Sequence, residues 1–360
     1  MINRGLSSVV GGALPRPTKL CDESYLEFVE TFREIAGYGN FPLVARLVDK
    51  GVADTMVGKN IVPDIKEVRS VVNKLPIAAT WQRFMRSHQE MMWRRTRDTF
   101  LPIKDQLLKL MDLAAMSSNS NLTVDQEFKV PDYARKEIHL QPGGYTEDPI
   151  GGVVYHYGTK VFYAGMNDND EVHAEICETM EIPSDGIVES ILDLGCSIGQ
   201  ATLLLEKRFP DARVIGLDVS LPLLKYANWR SMEVNSKTKY QQGLSEDTHF
   251  KSSSFDVVMA YILFHEIPVD VIKRTINETF RIIRPGGKFC IYEFPSASEN
   301  MPASQRWMID YDSINNCEPY SPGFVYLDFR GLLKDAGFII RNGPKNSNPF
   351  LQTIVAEKPV

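Results

Sequence analysis

The sequence predicts an α/β fold in which a mainly parallel sheet, flanked by helices, follows a largely helical amino-terminal region. Three observations carry that expectation. From Glu189 onward, short apolar runs at 190–194, 212–217, 255–260 and 287–293 alternate with helical patterns at 199–208, 221–235 and 269–283. Ahead of that point apolar residues recur instead at helical intervals. Between the two regimes, residues 116–150 are rich in Ser, Asn, Pro and Gly and read as an irregular connector.

Taken in order, the first twenty residues look loosely structured, and Tyr25 to Val48 is helical with Gly37-Tyr-Gly39 as an interruption. A second helix covers Ile65 to Asn73, and Pro76 separates it from a long helix over Thr80 to Phe100. Pro102 stops that helix or begins the next one through Leu113, because its fixed φ and missing donor suit a first turn. Trp81, Phe84, Met85, Met91, Met92 and Trp93 read as core packing, with pocket lining as the other reading. Residues 151–186 hold an aromatic connector, Gly152-Val-Val-Tyr-His-Tyr-Gly158 and Phe162-Tyr163, and then a helix at 169–181. A last helix over Leu327 to Ala336 and closing strands at 338–340 and 351–355 complete the chain. The expected division is a helical substrate-cover or dimerisation region over 1–150, the connector over 151–186 and an α/β domain over 187–360.

Composition narrows the function. An apolar fraction of 43% and a charged fraction of 24% over 360 residues describe a soluble globular chain with room for one large or two ordinary domains. The net charge of -6 argues against a general polyanion-binding surface, so nucleic acid is not an expected partner. Arg94-Arg95-Thr-Arg97 is read as a solvated helix face rather than a local anion site. Five scattered cysteines form neither a disulfide framework nor a zinc knot. With no secretory signal near Met1 and no apolar run of membrane-spanning length, the expectation is a cytoplasmic protein without membrane insertion.

The segment Ile191-Leu-Asp-Leu-Gly-Cys-Ser-Ile-Gly-Gln200 joins a buried strand to a helix, and Gly195 and Gly199 permit close backbone approach at the turn. Asp218 ends the next strand, where an acidic group can accept two hydrogen bonds from a ribose. Each feature alone has a structural reading, a tight turn or a helix cap. Together they point to a nucleoside-bearing cofactor; the glycines depart from the stricter dinucleotide fingerprint, but the strand-turn pattern alone leaves mononucleoside and dinucleotide both open.

Asp193-Leu-Gly195-Cys-Ser197-Ile-Gly199, Gly216-Leu-Asp218, Ser254-Phe-Asp256-Val-Val258 and Arg284-Pro-Gly286-Gly287 resemble, in order, the motifs of class I S-adenosylmethionine-dependent methyltransferases. The resemblance covers residues 187–357 and implies a Rossmann-like methyltransferase sheet with S-adenosyl-L-methionine as cofactor. It implies that Gly195 and Gly199 flank the methionine portion and that Asp218 binds the ribose. Asp193 then orients the first loop or acts indirectly on the amino group, and Ser197 stands where the family has its central glycine. Gly243-Leu-Ser-Glu-Asp247 resembles the adenine-contact loop, with Leu244 in place of the common aspartate and Ser245 and Glu246 as polar contacts.

The same resemblance puts Ala260-Tyr-Ile-Leu-Phe-His-Glu266 beside the sulfonium. His265 is the candidate acid-base or orienting residue, Glu266 its partner and Tyr261 a substrate contact, against a reading as structural polar packing. Tyr157 and Tyr163 are candidates to hydrogen-bond the donor while their rings exclude water, against a reading as a packed domain seam. Between Trp307 and Tyr320, the residues Tyr311, Asn315, Asn316 and Glu318 are candidates to orient an acceptor. His265-Glu266 is not a zinc-protease motif, since Val269 stands where the second His is needed, and no metal is expected. The expected activity is methyl transfer to a small-molecule acceptor at O, N or S. A macromolecular methyltransferase or a non-catalytic cofactor-binding interaction protein is the alternative, and homodimerisation is left open.

Overall fold

The apolar run at 190–194 becomes strand β2 (Ser190–Leu194), in which Ile191, Leu192 and Leu194 all have 0% exposure. Burial on both faces is what a central parallel strand requires. The computed structural model describes residues 17–57, 64–296, 301–345 and 351–360, so most of the first twenty residues, expected to be loosely structured, lie outside the described residues. Around β2 it builds β1 (Leu122–Thr123), β3 (Arg213–Asp218), β4 (Lys239–Gln242), β5 (Phe255–Tyr261), β6 (Ile283–Glu293), β7 (Ile339–Asn342) and β8 (Gln352–Glu357). Their order is β1-β4-β3-β2-β5-β6-β8-β7, parallel except that β8 runs antiparallel to both β6 and β7.

Chain direction along the sheet reverses at β2: β3 and β4 follow on one side, β5 and β6 on the other. That switch leaves a crevice beyond the carboxyl end of β2, where open α/β sheets bind ligands. Three helices make the crossovers, α8 (Gln200–Arg208), α9 (Leu221–Glu233) and α10 (Val269–Ile282). Ile191, Val214, Val257 and Met259 pack on one side of the sheet, and Leu192, Ile215 and Val258 on the other.

The cover consists of α1 (Leu20–Phe32), α2 (Phe41–Thr55), α3 (Ile65–Val72), α4 (Pro76–Phe100) and α5 (Lys104–Met116). The interruption expected at Gly37 to Gly39 is a π-helical turn over Arg33–Gly39. Both prolines act as predicted, with Pro76 in the first turn of α4 and Pro102 in a 3-10 turn that leads to α5. Asp64 caps α3 reciprocally with Glu67, accepting from the Glu67 amide at 2.8 Å while its own amide donates to the Glu67 carboxylate at 3.1 Å.

Three elements depart from expectation. The aromatic connector is a helix, α6 (Gly151–Phe162), followed by α7 (Glu171–Thr179). Its glycines hide the pattern because they face close neighbours: a Cβ at Gly158 would lie 2.1 Å from the Trp93 ring. Strand β4 was not expected, since its sequence Lys-Tyr-Gln-Gln offers one buried apolar side chain, Tyr240. It is paired by β3 and by the connector, whose Asn121 carbonyl accepts from the Tyr240 amide at 2.8 Å.

The segment beginning at Trp307 is also helical, as α11 (Ala303–Asn315), and precedes α12 (Ser321–Val325) and α13 (Phe329–Asp335). Trp307 and Tyr311 of α11 join Val44, Val48, Val68, Val72 and Trp81 in the core of the cover. Trp81 lies 5.3 Å from Trp307 and 5.4 Å from Tyr311, tilted pairs that contribute about 0.5–1.5 kcal/mol each beyond burial. Arg69 binds the Asp310 carboxylate through two nitrogens, and Asp49 accepts from the Ser304 amide at 2.8 Å. A carboxyl-terminal segment thus completes the amino-terminal cover.

Candidate functional site

At the crevice, Gly195, Ser197 and Gly199 take φ values of 76°, 51° and 74°, so the turn is left-handed three times in five residues. Glycine tolerates this without strain, and Ser197 adopts it at a cost. A Cβ on Gly199 would sit 2.4 Å from the Tyr240 hydroxyl, so strand β4 itself demands that glycine. Asp218 ties the turn to β3: one carboxylate oxygen accepts from the Ser197 amide and the other from the Ser220 amide, both at 2.8 Å. Burial pushes the Asp218 pKa up to about 6 despite these amides. Asp193 accepts from the Thr202 hydroxyl at 2.6 Å, and burial pushes it up to about 7. It braces the start of α8 from below the turn.

These residues fit a nucleoside-bearing sulfonium cofactor. Ser197 Oγ is buried without a hydrogen-bond partner, and the Asp218 oxygens keep lone pairs for hydroxyl donors. Leu244 lines a cleft of about 380 Å³ beyond β4 together with Gln242, Gly243 and Phe128. Ser245 and Glu246 turn elsewhere: Ser245 lies 3.0 Å from the Thr275 hydroxyl, and Glu246 accepts from Tyr133 at 2.8 Å. The polar contacts expected of them are spent on α10 and the connector.

Beyond β5 and β6, a second group of side chains converges. His265 is 2% exposed, and its Nδ1 lies 2.8 Å from Glu293, itself buried at the end of β6. Glu293 is pinned by the Phe264 and Phe294 amides, at 2.7 and 2.8 Å. Burial opposes charge on His265, yet Glu293, Glu318 and Glu266 together raise its pKa to about 9. At neutral pH it is an imidazolium, which suits the acid or orienting donor among the roles the sequence left open rather than the base.

His139 comes from the connector, where it lies 2.8 Å from Glu266 through Nε2 and 2.8 Å from Glu318 through Nδ1. Burial opposes its charge too, but Glu318 and Glu266 hold its pKa well above the ordinary value. The Tyr145 hydroxyl donates to the same Glu266 oxygen at 3.0 Å. Glu318 stays below the usual carboxylate range against its burial because of His139, while burial and Glu318 push Asp312 up to about 8. His139, Tyr145 and Glu293 were missed: two lie in a stretch without periodicity, and Glu293 reads as the polar end of a strand.

Tyr163 and Tyr261 meet, hydroxyl to hydroxyl, at 3.0 Å, joining α6 to β5. Tyr157 does not join them. It is 5% exposed and packs on Phe100 at 5.7 Å, because two residues of helix turn it to the cover side. Tyr155 takes its place, facing Ser197, with Tyr163, Glu266 and Asp218 around its hydroxyl and Tyr145 edge-on at 5.6 Å. Tyr311 and Asn315 are likewise occupied elsewhere: the Tyr311 hydroxyl donates to the Gln82 carbonyl at 3.2 Å, and the Asn315 amide to the Tyr311 carbonyl at 3.2 Å. From that segment it is Glu318 that reaches the site. Among the described residues no group of three is arranged to hold a metal ion, and no helix is long and apolar enough to cross a membrane.

Comparison with known proteins finds methyltransferases. A family model described as a methyltransferase domain matches residues 191–287. The chain is 35% identical over 170 residues to an uncharacterized methyltransferase of Synechocystis sp., covering 47% of this chain and 75% of that one. It is 29% identical over 105 residues to a demethylmenaquinone methyltransferase of Thermus thermophilus, covering 29% of this chain but only 47% of that enzyme's length. Among solved structures, a phosphoethanolamine N-methyltransferase of Haemonchus contortus in complex with S-adenosyl-L-methionine is similar at 17% identity and a TM-score of 0.41, over 53% of this chain and 52% of that one. An identity of 35% across three-quarters of a methyltransferase, over a matching β2-to-β6 core, makes this chain a member of the class I S-adenosylmethionine-dependent methyltransferase family.

Proposed function

We propose that the protein transfers a methyl group from S-adenosyl-L-methionine to a small-molecule acceptor held beneath the helical cover. One observation carries this reading: next to the glycine turn, His265, Glu266 and Glu318 gather with His139 and Tyr145 of the connector, and both His265 and Glu318 are less than 9% exposed. An enclosed set of polar groups suits a small acceptor better than a polymer laid across an open surface.

The bound cofactor supplies an electrophilic sulfonium methyl. The chain's own residues bind, orient and shield. Asp218 would accept the ribose hydroxyls, and the turn from Gly195 to Gly199 brings bare backbone against the methionine part. The rings of Tyr155, Tyr163 and Tyr261 keep water away and present faces that attract a sulfonium. His265 donates a hydrogen bond toward the acceptor, and Glu266 and Glu318 accept from it.

Two measurements test the proposal. Calorimetric titration with S-adenosylhomocysteine should show one site per chain. Incubation of labelled donor with a broad set of small molecules, proteins and RNA should label a small molecule. Labelling confined to protein or RNA would refute the small-acceptor reading, and absence of donor-product binding would refute the reaction class for this chain.

A further inference from the structure

We infer that His265, Glu266 and Glu318 form the seat of the acceptor's reacting hydroxyl, so that the acceptor is an alcohol or phenol rather than an amine or thioether. This rests on the methyl-transfer reading above and names the substrate class at that site. His265 is 2% exposed and its ring is fixed by the 2.8 Å contact from Nδ1 to Glu293, which aims Nε2 away from β6. That Nε2 has no hydrogen-bond partner. It faces Glu318 Oε2 at 3.7 Å and Glu266 Oε1 at 3.9 Å, distances too long for direct bonds but suited to one bridging heavy atom.

The groups around the seat set what that atom must do. His139 pairs with Glu266 and Glu318 at 2.8 Å each, Tyr145 donates to Glu266 at 3.0 Å, and Asp312 is near enough to feel the charge of Glu318. With three carboxylates about its ring, His265 presents an N–H to the seat, while Glu318 and Glu266 present acceptors. The bridging atom must therefore accept one hydrogen bond and donate another. A hydroxyl does both. An amine between two carboxylates is held as ammonium, its lone pair occupied, and a thioether has no proton to give.

The transfer then balances. The hydroxyl oxygen uses a lone pair to form the new carbon–oxygen bond, the pair of the breaking carbon–sulfur bond stays on the donor's sulfur, and the hydroxyl proton passes to Glu318. An oxygen that is gaining a methyl group becomes far more acidic than any carboxyl. Even a carboxylate held below its usual range can therefore take the proton.

The full-length chain should be incubated with labelled S-adenosyl-L-methionine and matched sets of phenols, alcohols, primary amines and thioethers, with products located by mass spectrometry. Methyl ethers are expected. Glu318→Gln should lower turnover by about 10²–10⁴-fold on a weakly acidic phenol, and at least tenfold less on 4-nitrophenol, which hardly needs a base. S-adenosylhomocysteine affinity should be unchanged. N- or S-methyl products without ethers would overturn the assignment, as would a Glu318→Gln loss equal for all phenols. So would a chain that binds S-adenosylhomocysteine but neither methylates the hydroxyl compounds nor binds 4-fluorophenol by fluorine NMR. The wild-type product pattern decides the matter even if Glu318→Gln does not fold. Failure to bind S-adenosylhomocysteine would instead bring down the methyl-transfer reading, and this assignment with it.

Discussion

Replacing Asp218 by asparagine changes the chemistry of one carboxylate at the point where the cofactor turn meets the sheet. The carboxylate accepts from the Ser197 and Ser220 amides at 2.8 Å each, and burial has raised its pKa from 3.8 to about 6. That climb amounts to about 3 kcal/mol against ionisation in the ligand-free chain. Two ribose hydroxyls donating to the charged form contribute about 1.5–3 kcal/mol each and offset it. The carboxamide of the variant keeps one acceptor oxygen and turns an NH₂ toward one of the two backbone amides. Affinity of Asp218→Asn for S-adenosylhomocysteine should fall by about two to three orders of magnitude, read by calorimetry on protein whose circular dichroism is unchanged. Proton linkage adds a second signature. Between pH 3.8 and about 6 the folded state binds a proton that the unfolded chain has released, so this group's contribution to stability falls as pH rises through that window. The protonated carboxyl cannot accept both hydroxyls, so wild-type affinity should weaken as pH drops below about 6. A folded Asp218→Asn chain with wild-type affinity, or an affinity flat from acid to neutral pH, would refute the ribose role.

Other residues give sharper local tests. The His265 pKa of about 9 lies above its unfolded value of 6.5, so its stabilisation is complete below 6.5 and lost as pH rises through 9. Thermal stability should decline across that interval and His265→Gln should flatten the decline; an unchanged slope would mean that the Glu293 pair does not hold the charge. Gly199→Ala puts a methyl group 2.4 Å from the Tyr240 hydroxyl at a φ of 74°, and should destabilise by about 2–4 kcal/mol in denaturant titration. Tyr155→Phe should slow methyl transfer about five- to tenfold by removing the hydroxyl that faces Ser197 of the glycine turn, while Tyr157→Phe stays within about twofold of wild type. The reverse pattern would put Tyr157, not Tyr155, beside the glycine turn.

What sequence could show of the fold follows from how each element is stabilised. Strands β2, β5 and β6 carry their own evidence, because a strand buried on both faces holds an apolar run, as in Val257 to Ala260 and Phe289 to Ile291. The crossover helices follow from an apolar stripe on one face. Strand β4 has no such mark: it exists because β3 and the Asn121 carbonyl supply its backbone partners. Helix α6 failed for the opposite reason, since Gly152 and Gly158 look like helix breakers but let Tyr226 and Trp93 approach to contact. A close approach between distant segments leaves no periodic trace in either one.

The candidate site divides along the same line. The cofactor side was legible because its needs are local: a strand, a left-handed turn and an acid at the end of the next strand lie in fixed sequence relation. The candidate acceptor side is assembled from four stretches of the chain, with His139 and Tyr145 of the connector, His265, Glu293 and Glu318 brought together only by the fold. Even for a residue singled out by sequence the role depends on the fold: which of the acid, base or orienting readings suits His265 is set by carboxylates at positions 266, 293 and 318. A lone imidazole near neutral pH is an ambiguous base; one with three carboxylates about it is a fixed cation. Of these carboxylates Glu318 and Glu266 face the free Nε2 and are the groups left to act as acceptors, and His139 of the connector, 2.8 Å from each, balances their charge. Removing His139 should therefore harm acceptor chemistry more than donor binding. Equal loss of both in His139→Gln would show that the connector serves the cofactor side instead.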